Sequence, residues 1–131
     1  MTNTADTYLR KAQRTLSAAR TLLQGGDTEG ACNRAYYAMY NAAHAILLAS
    51  SANTPDGGYK THGGLIGAFG KYVVLSGKAN AALGRALNEV QRLRQIADYV
   101  GDPPTPRDAT WAVEQAATFV AAMRSIIDPG P

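Results

Sequence analysis

Three short clusters carry the side chains able to do chemistry. The first is Leu93-Arg94-Gln95-Ile96-Ala97-Asp98-Tyr99. On a helix, Arg94 falls in line with Leu87, Val90 and Ala97, so its aliphatic stem meets the core. A guanidinium anchored in this way suits two oxygens of a phosphate, because its planar fork matches them. Asp98, one turn later, is placed to pair with Arg94 or to orient it. Two readings follow, a phosphate-holding arginine and a structural ion pair. Tyr99 lies about 140° around an ideal helix from Arg94. The two converge only if the helix frays or bulges near Gly101, or if a second subunit closes the site. Arg92 and Tyr99 share a face without distortion.

The second cluster, Lys60-Thr61-His62, follows a glycine-rich loop. Its lysine and histidine suit a bound phosphate, and loop positions often carry function. An ordinary helix start with an exposed histidine is the alternative. The third runs from Asn33 to Ala45, and one sector of it holds Arg34, Tyr37, Asn41 and His44, with Leu48 beyond. On a 3.6-residue period, Ala31, Ala35, Ala38, Ala42, Ala45 and Ala49 form a small-residue stripe. Cys32, Tyr36, Met39, Ala43, Ile46 and Leu47 run beside it. A helix so apolar around its circumference sits centrally in a bundle, and the polar groups it carries need partners there.

Several chemistries fail on spacing. With one Cys and two His, and no His-x-x-x-His or Cys-x-x-Cys, no metal or other cofactor is expected. The glycines before Lys71 lack the spacing, the following Ser or Thr and the preceding strand of a phosphate loop. Gly64-Leu65-Ile66-Gly67 has the outline of a Gly-x-x-Gly clamp, which belongs to an α/β module. Cys32 lies on an apolar sector, where an inert thiol is expected. His44 reads as a structural histidine within the bundle.

The chain has 131 residues, sufficient for one domain with one core. A net charge of +3 permits contact with nucleic acid without requiring it. No apolar run reaches the ~20 residues of a membrane span, so no membrane partner is expected. Met1 to Asp6 lacks the pattern of a signal peptide. The lone cysteine agrees with a cytoplasmic setting.

Five helices and no strands are predicted. The first spans about Thr4 to Gln24, with Tyr8, Ala12, Leu16, Ala19 and Leu23 buried, and stops at Gly25-Gly26. Asp27 or Thr28 caps the second, which runs to about Ser51. A loop covers Ala52 to Gly58. Thr61 caps a third helix through Leu75. Its four glycines, each costing up to ~1 kcal/mol against alanine, make it dependent on packing. Gly63 and Gly67 would let another backbone come close. The fourth spans Asn80 to Val100, with Leu83, Ala86, Leu87, Val90, Leu93, Ile96, Ala97 and Val100 on a broad apolar face. After a proline-stiffened connector, Asp108 caps the fifth, which ends near Ile127.

Arg34-Ala35-Tyr36-Tyr37-Ala38-Met39-Tyr40, Lys60-Thr61-His62-Gly63-Gly64-Leu65 and Leu93-Arg94-Gln95-Ile96-Ala97-Asp98-Tyr99, in this order, resemble the HEPN superfamily. The likeness is strongest to small prokaryotic HEPN proteins encoded beside a minimal nucleotidyltransferase. It covers Tyr8 to Ile127. The resemblance implies an all-α, five-helix up-and-down bundle, a homodimer, and an RNA or nucleotide ligand in a toxin–antitoxin type pair. Many members are metal-independent ribonucleases. Their motif is an arginine, a short spacer and a histidine, and the ribose 2′-hydroxyl is the usual nucleophile. Here Arg94 matches the arginine and Tyr99 stands in the place of the histidine. A phenol is a poor general base at neutral pH but can donate a proton. The resemblance therefore gives Arg94, Asp98 and Tyr99 as catalytic candidates, with Arg34, Lys60, His62 and Arg92 as substrate-binding candidates. It also leaves a non-catalytic module that docks a nucleotidyltransferase or senses a nucleotide.

Overall fold

The computed structural model describes residues 4–50, 55 and 58–130. Five helices follow one another: α1 (Thr4–Gln24), α2 (Thr28–Ala49), α3 (His62–Phe69), α4 (Ala81–Val100) and α5 (Pro106–Ile127). No strand occurs among the described residues. The architecture is the expected all-α bundle.

Helix α2 is the hub. It packs against α1, α3, α4 and α5. Its alanines explain how: Ala31, Ala35, Ala38, Ala42, Ala43 and Ala45 are all fully buried, and a helix with so little side-chain bulk admits neighbours on several sides. Tyr36, Met39, Ile46 and Leu47 fill the spaces that the alanines leave. Facing them are Ala12, Leu16 and Ala19 of α1, Leu87 and Val90 of α4, and Ala109, Val113, Phe119 and Met123 of α5. Tyr8 and Leu23, expected on the buried stripe of α1, are only half-buried; Ala5 and Leu9 take the core positions instead.

Asp27 is the cap of α2, accepting from the Gly30 N–H at 2.7 Å. A Cβ at Gly30 would lie 2.5 Å from the same carboxylate, so glycine makes room for the cap. Helix α2 ends at Ala49, short of Ser51, and Ser50 closes it. Most of the expected 52–58 loop lies outside the described residues. Its described part is a turn in which the Gly58 N–H donates to the Pro55 carbonyl at 2.8 Å.

Thr61 caps α3 as expected, accepting from the Gly64 N–H at 2.9 Å. The glycines do not serve as expected. A Cβ at Gly63 or Gly67 would meet nothing within 4 Å, so neither admits a close backbone. Beyond the cap, packing holds α3, through Leu65, Ile66 and Phe69, whose ring lies 5.3 Å from that of Phe119. A π-helical turn, Gly70–Val74, continues α3, with the Leu75 N–H donating to Gly70. The close approach occurs instead at Gly84, where a Cβ would stand 3.3 Å from Val74.

Asn80 caps α4, and left-handed Gly101 (φ 84°) ends it. Two apolar residues expected in its buried face are not there: Ile96 is 50% and Val100 62% exposed. The bundle covers α4 on the side of Leu87, Val90 and Ala97 only. The cap of α5 is Thr105, not Asp108, and Thr105 accepts from the Asp108 N–H at 3.0 Å. Pro106 at the first helical position needs no N–H partner, so the helix starts inside the connector.

The alanine faces of α2 have no spare volume, since Ala42 is fully buried. Ala42→Leu is expected to lower unfolding free energy by about 1–3 kcal/mol or more, measured by urea denaturation. A change within experimental error would show that the helices do not pack at alanine distance.

Candidate functional site

Helices α3 and α4 bring two distant residues onto one ring of α2. Tyr36 of α2 is fully buried. Its hydroxyl lies 3.0 Å from Nδ1 of His62, the first residue of α3. The Arg94 guanidinium of α4 stands 4.5 Å from the centre of the same ring and 5.6 Å from that of Tyr37. His62 also touches Tyr40, with ring centres 4.8 Å apart, and Tyr37 at 5.6 Å. An imidazole and a guanidinium thus share an aromatic box made by Tyr36, Tyr37 and Tyr40.

Arg94 meets one carboxylate, Asp98, at 3.5 Å. The arginine side chain is 14% exposed and the aspartate 52%. Its Nε is buried and without a hydrogen-bond partner. The cation is therefore held chiefly by π-faces and by one half-exposed partner, which leaves its hydrogen-bonding capacity largely unspent.

The environment fixes protonation. Burial pushes the Tyr36 hydroxyl above the ordinary phenol range, partly opposed by Arg94. Tyr36 is thus a neutral phenol. Burial, and then the charge of Arg94, pull His62 below its ordinary 6.5, so its imidazole is neutral at pH 7. The N-terminus of α3 acts in the same direction. When Nδ1 carries the proton, the Tyr36 oxygen accepts it and Nε2 is left as a base. When the phenol donates to Nδ1, Nε2 carries an N–H that can donate to an anion. Nε2 makes no hydrogen bond to the described chain.

Tyr99 is 95% exposed. Helix α4 runs straight through to Val100, so the 140° separation from Arg94 persists and the two do not meet within one chain. Tyr99 instead lines an open groove of about 600 Å³ with Arg92, Gln95, Ile96, Asp98 and Val100. Arg34 is exposed on α2 and stacks on Tyr37 at 5.6 Å. It borders a second groove that also includes Asp27, Glu29 and Asp98. Lys60 is exposed just ahead of α3. Arg94 and His62 therefore gather around Tyr36, while Asp98 pairs with Arg94 and lines both the groove of Arg92 with Tyr99 and that of Arg34.

The sequence places Tyr36 among core side chains and does not reveal that its ring and hydroxyl meet Arg94 and His62. The available signal was three phenols within five positions of an otherwise alanine-rich helix. His44 proves structural, packed 4.2 Å from the Tyr8 ring, with its pKa lowered by burial and by Lys11. Cys32 is buried, and burial followed by Asp108 pushes its thiol up to about 11, which keeps it protonated and inert. Among the described residues no group of His, Cys, Asp and Glu is arranged to hold a metal ion, and no helix is long and apolar enough to cross a membrane.

The class is that of an all-helical bundle, and in this chain an arginine and a histidine converge on tyrosines of its central helix. Residues 5–126 match the HEPN domain family, and the chain belongs to it. It is 34% identical over 116 residues to a Methanocaldococcus jannaschii protein named "Putative toxin MJ0605", covering 88% of this chain and 83% of that one. It is 31% identical over 122 residues to the UPF0332 protein glr0978 of Gloeobacter violaceus, covering 92% and 93% respectively.

The lowered His62 pKa has a sign. Well above pH 6.5 both folded and unfolded imidazoles are neutral and the effect vanishes. As pH falls below 6.5 the unfolded chain takes the proton first, so stability falls until the folded pKa is passed. His44 acts in the same sense. An NMR titration is expected to place His62 below 6.5. His62→Gln is expected to weaken the loss of urea resistance between pH 7.5 and 5.5. A His62 pKa above 6.5 would contradict the burial described.

Proposed function

We propose that this chain is a cytoplasmic HEPN protein of a toxin–antitoxin type pair that binds RNA and cleaves it without a metal at the Arg94–Tyr36–His62 cluster. The observation that carries the reading is the convergence of guanidinium and imidazole on one buried phenol. His62 takes the place in the reaction that the sequence motif leaves empty at Tyr99. The toxin name of the M. jannaschii relative supports the biological setting.

In this mechanism the phosphodiester meets the Arg94 guanidinium, which offers more than one donor to its oxygens. Nε2 of neutral His62 withdraws the proton of the ribose 2′-hydroxyl. That oxygen attacks phosphorus, the bond from phosphorus to the 5′-oxygen breaks and the 5′-oxygen leaves as a hydroxyl by taking a proton from solvent water, giving a 2′,3′-cyclic phosphate. Tyr36 holds the imidazole through Nδ1 and steadies the imidazolium that forms. Asp98 orients Arg94, and Arg34 and Lys60 supply positive potential along the strand.

The test is incubation of purified protein with mixed RNA in EDTA, beside Arg94→Ala and His62→Ala. Wild-type cleavage is expected to persist with the chelator. Each variant is expected to lose about 100-fold or more in rate, the usual contribution of a positioned acid–base or anion-stabilising group. Equal cleavage by all three would remove the cluster from the chemistry.

One observation favours a second reading, in which this domain docks a nucleotidyltransferase or a second copy of itself. Ile96, Tyr99 and Val100 leave an apolar strip open along the end of α4. Such a strip is surface available to a partner. Sedimentation of the wild type is expected to show a dimer, and Ile96→Asp combined with Val100→Asp to give a monomer with an unchanged helical spectrum. A wild-type monomer that also fails to retain the protein encoded next to it would dismiss this reading.

A further inference from the structure

A pocket of about 260 Å³ between α1 and α2 shares two tyrosines with the site. Lys11, Thr15, Arg34, Tyr37, Tyr40 and Asn41 line it. Asn41 is 5% exposed, the one buried polar residue of the described chain. Its amide makes no hydrogen bond to another described residue. Neither amide atom is among the buried atoms left without a partner, so the carboxamide meets water through the pocket it lines and can exchange that water for a ligand. The walls are aromatic: the Tyr37 and Tyr40 rings lie 6.2 Å apart, inclined at 65°. Lys11 and Arg34 are exposed cations, and no carboxylate lines the space. Through the same two rings the pocket adjoins His62, at 5.6 and 4.8 Å between ring centres.

We infer that this pocket seats one nucleotide of a single strand, beside the residue cleaved at His62. The base lies against Tyr37 and Tyr40, Asn41 reads its edge, and Lys11 and Arg34 take the flanking phosphate. Each component has its chemical reason. A phenol ring is a stacking surface for any base. A carboxamide presents a donor beside an acceptor and so pairs with a base edge that shows the complement. Exposed lysine and arginine neutralise phosphate without reading sequence. The volume admits one base with its sugar and excludes a duplex. This subsite rests on the reading of the chain as an RNA-binding protein and adds base preference to it.

The experiment measures fluorescence anisotropy of 5′-labelled hexamers of A, C, G and U with wild type, Asn41→Ala, Asn41→Asp, Lys11→Glu and Arg94→Ala. The wild type is expected to rank the four hexamers. Asn41→Ala is expected to weaken the preferred one by about tenfold and to bring the four close together, since one base contact carries that order of discrimination. Lys11→Glu is expected to weaken all four alike and to reduce the slope of log affinity against log salt by about one. Resistance to free mononucleotides marks a subsite of a strand and carries the inference; displacement by them at comparable affinity marks a stand-alone nucleotide site and overturns it. If Asn41→Ala does not fold, as judged by circular dichroism, the near-isosteric Asn41→Asp and the exposed Lys11→Glu decide. Affinities of the folded Asn41 and Lys11 variants within twofold of wild type, with Arg94→Ala still weakened, overturn the subsite and leave the RNA reading standing. A wild type that binds none of the hexamers overturns both.

Discussion

The face and hydroxyl of one buried phenol hold a guanidinium and an imidazole in place. Tyr36 receives Arg94 over its ring and His62 at its hydroxyl, so residues from α3 and α4 are registered against α2 by a single side chain. A cation over an aromatic face is worth about 0.5–2 kcal/mol, more as water is excluded. That modest energy matters because it does not consume the hydrogen bonds of the guanidinium. A second carboxylate would have held Arg94 more firmly and left nothing to offer a ligand. The same closeness keeps His62 neutral, as burial and a neighbouring positive charge both oppose imidazolium. One contact thus sets the position of the cation and the protonation of the base.

That contact depends on how closely four helices approach α2. Alanine at its packing positions lets them in, and the price is a core with little tolerance for added volume. Helix α3 shows how tertiary packing overrides local propensity. Its glycines disfavour a helix, and at Gly63 and Gly67 they border open space. It exists because Thr61 satisfies its first turn and Phe69 meets Phe119. His62 lies at the capped end, where its position is coupled to the core through both.

The helices and their order were legible in the sequence because alanine-rich stripes, glycine stops and Ser, Thr, Asn or Asp starts are local signals. Arg94 and Asp98 were legible for the same reason: their pairing is set by one turn of one helix. Thr105 was passed over for Asp108 because a proline at the first helical position looked like a barrier. The partnership of His62 with Arg94 was not legible, since it needs α3 folded back onto α2, and no periodicity encodes that. Ile96 and Val100 were misplaced for a related reason. A helical stripe says which residues are alike and not how far the neighbouring helices extend to cover them. Tyr36 was hidden by its own chemistry, being apolar enough for a core position while carrying the hydroxyl that makes the site.

Asp98 links the parts of this surface. It pairs with Arg94 and also lines both the groove of Arg92 and Tyr99 and the groove of Arg34. At 3.5 Å and half-exposed, its hold on Arg94 is that of an ordinary i,i+4 pair, a few tenths of a kcal/mol. A phosphate reaching the same guanidinium offers two oxygens in plane and satisfies donors that the aspartate leaves idle. Under the proposed function, the carboxylate keeps the guanidinium aligned until a phosphate takes up the donors that the aspartate leaves idle. A stronger ion pair would have made the same arginine part of the scaffold alone.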